Sequence, residues 1–214
     1  MRFEKANYLL GANNIVDVMN IFVNVFSKSE LDNLLNINQK DLFTFNNIIT
    51  SLDQIENEFE KMMAFDYKTY QIDDILLKVD RATMSVGLEG REPFLDHRII
   101  EYVSKLPIDY KINNGNKKHL LKSIVHEYVP RRIMERPKMG FSMPLQEWLG
   151  DAFKDLVNDY LSESNLNKVS FLNQKYIIFL KEQWLKDKTY NTRKIWSLIV
   201  LLMWYEKWIE GERN

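Results

Sequence analysis

Apolar residues recur at helical spacing along nearly the whole chain, and no stretch alternates apolar and polar residues long enough to make a strand. This predicts an all-α piece. Val18, Phe22, Val25 and Phe26 form the face of a first amphipathic helix. Ser27 and Glu30 then have the spacing of a capping box ahead of Leu31, Leu34 and Leu35. Ile48, Leu52, Ile55, Phe59, Met62 and Met63 make another apolar stripe, and a helix over about 72–86 stops at Gly87. Asp96 is placed to cap a helix carrying Ile99, Ile100, Val103 and Leu106, and Asn113 to Asn116 read as a turn. Leu120, Leu121, Ile124, Val125 and Tyr128 give a helix ended by Pro130. Longer helices are expected at about 144–161 and 171–187, and a last one from about 192 to 209. The chain has 214 residues without repeats, low-complexity tracts or linkers, so 1–214 is expected to form a single helical domain.

Composition removes several chemistries. The chain has no cysteine, which excludes disulfides, zinc–thiolate sites, iron–sulfur clusters and a catalytic thiol within it. The formal net charge of −1 provides no global field for polyanions. No two of the 7 glycines are separated by a single residue, so a GxGxxG fingerprint is impossible, and GxxxxGK[ST] is absent too. His119 and His126 lie on one predicted helix face without an obvious third ligand, so no metal site is expected. Met1 to Glu4 lack the apolar region of a secretory signal. The longest apolar stretch, Ile195 to Tyr205, falls short of the ~20 residues that span a bilayer and reads as a buried helix. A soluble, cytoplasmic protein is the expectation. The five tryptophans (148, 184, 196, 204 and 208) crowd the C-terminal helices, where a core role is expected.

Three segments could carry chemistry. In the first, Ile72, Ile75, Leu76, Val79, Thr83 and Val86 share one helical arc, while Asp74, Lys78 and Arg81 form a second stripe and Asp73 and Asp80 a third. This is either a core helix with acid–base pairs worth a few tenths of a kcal/mol each, or a polar face turned into a cleft. The second, Gly87 to Arg98, carries Glu89, Arg91 and Asp96 in an irregular stretch that Phe94 and Leu95 are expected to anchor in the core. The third lies within Lys117 to Lys138, which holds seven basic residues against Glu127 and Glu135. It is either a solvated basic face or a phosphate contact. Lys138 sits between Pro137 and Gly140, where a side chain can be aimed from a loop.

In order, Asp73-Asp74-Ile-Leu-Leu-Lys78-Val-Asp80-Arg81-Ala-Thr-Met84, Leu88-Glu89-Gly-Arg91-Glu-Pro-Phe-Leu-Asp96-His-Arg98 and Arg136-Pro-Lys138-Met-Gly140-Phe141 resemble the C-terminal part of the synthetase domain of glutamine-hydrolysing asparagine synthetases. Lys117-Lys118-His119-Leu120-Leu121 and the tryptophan-rich last helix suit that family as well. The resemblance covers about residues 60–210. It implies the helical portion of an adenine-nucleotide α-hydrolase-like domain. The implied reaction activates an aspartate carboxylate with Mg-ATP as co-substrate, releases pyrophosphate, and forms the amide with glutamine-derived ammonia. By the same likeness Lys138 reaches the ATP phosphates and Asp74 lies near the reacting centre. Lys78, Arg81, Arg136 and Gly140 stand at candidate phosphate or substrate positions. Asp80, Glu89, Arg91 and Asp96 match scaffold positions.

The family's catalytic cysteine, its Ser-Gly-Gly-x-Asp-Ser pyrophosphate loop and its second glycine loop have no counterpart here. The resemblance therefore implies a fragment, whose partners are an upstream nucleotide-binding half and a glutaminase domain, and which does not hold ATP tightly alone. Two other readings stay open. One is same-family amidation of another carboxylate, such as a sugar acid of surface polysaccharide. The other is a helical module that binds polyanions through the Lys117–Lys138 segment, although no groove-reading nucleic-acid motif accompanies that charge.

Overall fold

The computed structural model describes residues 9–12, 14–37, 46–135 and 143–211. The first half runs through α1 (Ile15–Val23), α2 (Lys28–Leu34), α3 (Asn46–Leu52), α4 (Glu58–Asp66), a π-helical segment (Tyr67–Leu76), α5 (Leu77–Met84) and a 3₁₀ turn (Pro93–Leu95). Then come α6 (His97–Ser104), α7 (Ile108–Lys111), the strands β1 (Ile112–Asn113) and β2 (Asn116–Lys117), α8 (His119–Val125) and α9 (Arg131–Met134). The last stretch holds α10 (Leu145–Gly150), α11 (Lys154–Tyr160), α12 (Glu163–Leu166), α13 (Gln174–Lys186), α14 (Thr192–Tyr205) and a π turn (Glu206–Glu210). The architecture is all-α, with one small hairpin among the described residues. No helix among them is long and apolar enough to cross a membrane.

Several helices are shorter than their apolar spacing predicts, and local caps explain why. The first stops at Val23, leaving Val25 and Phe26 outside, because Ser27 starts α2 with a complete capping box. The Ser27 N–H donates to the Glu30 carboxylate at 2.8 Å and the Glu30 N–H donates to Ser27 Oγ at 3.3 Å. Asn57 caps α4 by accepting from the Phe59 and Glu60 amides, which divides the stripe from Ile48 to Met63 into two helices. The expected helix over 144–161 is likewise broken between Gly150 and Lys154.

The chain divides into two compact units, 1–44 with 141–214, and 45–140. In the first unit, Ile195, Leu198, Ile199 and Leu202 of α14 face inward at i, i+3, i+4 and i+7 and pack with Ile177, Leu180 and Trp184 of α13. Asn36 ties the α2 exit to this core, its amide donating to the Phe171 carbonyl at 2.8 Å. The core role expected for all five tryptophans is fulfilled by Trp184 (1% exposed) and in part by Trp196, whereas Trp204 and Trp208 are 50% and 66% exposed. Lys194 is buried in the same unit against the Glu30 carboxylate.

In the second unit, α4, the π segment and α5 form one unbroken helix, since the junction residues Asp66 and Leu77 both keep right-handed helical dihedrals. Leu52, Phe65 and Thr69 are the fully buried described residues of this unit. Lys111 Nζ donates to the Glu60 carboxylate at 2.8 Å and the Ser104 carbonyl at 3.0 Å, tying α7 to α4 and α6. The predicted turn closes β1 and β2, with Asn114 at φ 49° and Gly115 at φ 78°, the pair of positive angles a two-residue Asn-Gly hairpin requires.

Candidate functional site

The candidate helix differs from its expected form. Ile72, Val79 and Val86, assigned by spacing to a buried arc, are exposed, as are Asp80 and Arg81. Part of this arc lies in the π segment. Its i→i+5 bonding spreads a turn over more residues, and each surplus residue rotates the downstream helix by ~100° relative to α-geometry. Thr69 sits at its entrance, where its hydroxyl donates to the Phe65 carbonyl at 2.7 Å. At its exit the Leu77 N–H donates to the Asp74 carbonyl, three residues back, and α-geometry resumes.

Asp74 and Lys78 straddle that exit. Lys78 Nζ donates to Asp74 Oδ1 at 3.0 Å, with the two side chains 64% and 45% exposed. A pair this accessible contributes about 0.3–0.5 kcal/mol to folding, so both charges stay available to a ligand at little cost in stability. The structure thus joins two of the sequence candidates.

In the irregular segment the ion pairs are local. Arg91 Nε donates to Glu89 Oε1 at 3.2 Å, two residues away, rather than to a neighbouring helix. Asp96 caps α6 by accepting from the Arg98 amide and also holds the Arg98 guanidinium, with Nε–H at 2.9 Å. Those bonds to Arg98, side chain first and then backbone, lower the Asp96 carboxyl to about 2. Phe94 does not anchor the segment. It is 65% exposed, because the single 3₁₀ turn directs only Leu95 inward.

His126 lies at the C-terminal end of α8, largely buried, with Nε2 3.4 Å from Glu135 Oε1, while His119 is exposed. Neither ring nitrogen of His126 makes a hydrogen bond, so this is a close approach between the end of α8 and the residue after α9. No group of three His, Asp or Glu side chains fit to hold a metal occurs among the described residues. Lys138, Arg136 and Gly140 lie outside the described residues.

The family model for asparagine synthase matches residues 13–206. The chain belongs to the asparagine synthase family. Among curated relatives of this family, asparagine synthetase [glutamine-hydrolyzing] 1 of Bacillus subtilis (strain 168) is 34% identical over 154 residues, covering 72% of this chain and 24% of the relative. The asparagine synthetases [glutamine-hydrolyzing] of Mus musculus and Homo sapiens are each 31% identical over 171 residues, covering 75% of this chain and 29% of the relative. The chain therefore spans about a quarter of the length of the curated asparagine synthetases it matches. No solved structure matched it.

Sequence reasoning missed three features here: the π segment with its Thr69 hydroxyl, the Lys111–Glu60 tie and the His126–Glu135 contact. A threonine within the helical stretch was the visible trace of the first. The other two join residues 51 and 9 positions apart, and no local spacing announces them.

Proposed function

We propose that this chain is the helical part of an ATP-dependent amide ligase that converts aspartate to asparagine. The observation that supports it most is the family match over 13–206, which contains all three motif segments. The aspartate side-chain carboxylate attacks the α-phosphorus of Mg-ATP and pyrophosphate leaves. Ammonia from glutamine hydrolysis then attacks the acyl carbon, the tetrahedral centre loses AMP, and the amine's surplus proton passes to a base. In this reading Lys138 offsets charge on the phosphates, and lysine suits that task as a compact cation on a flexible stem. Asp74 faces the reacting centre with Lys78 holding its carboxylate, and Arg81, Arg136 and Gly140 border the phosphates.

The nucleotide-binding and glutaminase parts of the ligase are the proposed partners. The quarter-length coverage of the relatives favours this, as do the exposed apolar residues Ile72, Val79 and Val86 beside the motif. The test measures pyrophosphate release from Mg-ATP and aspartate with ammonia, using the chain alone and joined to a synthetase-family nucleotide-binding part. Aspartate-dependent release from the joined protein is expected. Release with a different carboxylate but not with aspartate would overturn the substrate assignment. No release with any carboxylate would overturn the ligase reading.

A further inference from the structure

We infer that residues 70–135 form a docking surface for the nucleotide-binding part of the ligase and draw most of their stability from that docking. The inference rests on the ligase reading and says where that partner binds. In α6, Ile99, Ile100, Tyr102 and Val103 share one side, with His97 and Glu101 opposite, which is the pattern of a helix laid against a core. Such a stripe is stable when it is buried against another element. Yet α6 has no buried residue, and Ile99, Tyr102 and Val103 are 41%, 65% and 37% exposed. The same is true of α5, α7, α8 and α9, and no residue from Tyr70 to Glu135 is buried. In the other unit, α14 carries an equivalent stripe and buries Ile195, Leu198, Ile199 and Leu202. A stretch as long as 70–135 that folds alone buries roughly 60% of its unfolded surface around a core of its own. Its polar ties, the Asp96 cap, the hairpin and the Lys111 bonds, fix helix ends and offset little of the entropy lost on ordering the helices. Two facts choose the occupant. α5 carries Lys78, the partner of Asp74, together with the exposed Val79 and Met84, so what covers those residues stands within about 15 Å of that pair. In the ligase reading the nucleotide-binding part must meet Asp74 and Lys78, whereas the glutaminase need not. The chain also spans about a quarter of its relatives' length, which leaves room in them for such a part.

The test is amide hydrogen exchange, measured on the full chain alone at two concentrations and on the chain joined to a synthetase-family nucleotide-binding part. In the chain alone, protection in α5, α6 and α8 should lie at least about a hundredfold below that of α14. In the joined protein it should rise at least about tenfold, while α14 changes little. Ile99→Asp combined with Val103→Asp puts two carboxylates on the apolar side of α6. It should leave α14 as protected as before and abolish the gain on joining, whereas Glu101→Lys, on the opposite side, should leave the gain intact. Protection of α5 and α6 equal to that of α14 in the chain alone would overturn the inference, because the chain would then cover this surface itself. Protection that rises with chain concentration would overturn it in favour of a second copy. No gain in the joined protein, or a gain that survives the two aspartates, would overturn it as well. A gain in a joined protein that releases no pyrophosphate with any carboxylate would keep the docking surface and remove the ligase reading.

Discussion

Glu30 serves two partners at once, which makes Glu30→Gln an informative perturbation. Its carboxylate accepts the Ser27 amide in the capping box and faces the Lys194 ammonium, whose side chain is 9% exposed. Glutamine can still accept from Ser27, so the substitution removes mainly the countercharge. Breaking a buried pair by deleting one partner costs about 3–5 kcal/mol. Glu30 itself keeps 21% exposure, so water relieves part of this and about 2 kcal/mol is expected. For a chain of this length that corresponds to about 4–8 °C in the melting temperature of the unit containing α2 and α14. Lys194→Met should cost less, under about 1 kcal/mol, because it removes the buried charge and leaves Glu30 with its cap and with solvent. Burial pushes the Glu30 carboxyl up, but hydrogen bonds from Lys194 and Ser27 and the Lys194 charge outweigh it, leaving it below its usual 4.5. A depressed carboxyl contributes stability above its unfolded value and loses it as pH falls through the folded one. The gap between wild type and Glu30→Gln should therefore be level from neutral pH down to about 5 and narrow in more acidic solution. Thermal melts by circular dichroism across that range measure it. A loss under about 0.5 kcal/mol at neutral pH, or an equal loss from Lys194→Met, would refute the reasoning.

Other substitutions probe the site. In a joined enzyme that also carries the glutaminase domain, Lys138→Ala should lower the rate of pyrophosphate release at least tenfold and leave glutamine hydrolysis nearly intact. A cation ~4 Å from a phosphate oxygen is worth ~4 kcal/mol at an effective dielectric of ~20, and half of that realised only in the transition state is roughly thirtyfold. Equal loss of both activities would assign Lys138 to folding. Asp96→Ala removes the α6 cap and should lower the urea midpoint, whereas Asp96→Asn retains the cap and should leave it nearly unchanged. Gly115→Ala forces a side chain into φ 78° and should destabilise the hairpin unit by about 1 kcal/mol in the same assay.

The reach of each interaction decides whether it is legible in the sequence. The Ser27 box, the Asp96 cap and the Asn114-Gly115 turn are settled by residues within three positions of each other, and each occurs where the sequence placed it. The inward face of α14 was equally legible, because Ile195, Leu198, Ile199 and Leu202 keep strict α-spacing. Lys194 against Glu30 was not, because it joins positions 164 apart and puts a lysine where spacing alone predicts a hydrophobe. The candidate-site helix lies between these cases. Its residue types suffice to recognise the family, yet Tyr67–Leu76 is wound as a π-helix, and apolar periodicity counted in α-helical steps says nothing about such a segment. Steps of 100° nonetheless pair Asp74 with Lys78 correctly, because the pair spans only the exit of the segment, whereas Ile72 and Val79 are exposed where those steps assign them to one inward arc. The motif is a property of residue identity and order. The direction of its carboxylates is a property of how many residues the preceding turns contain.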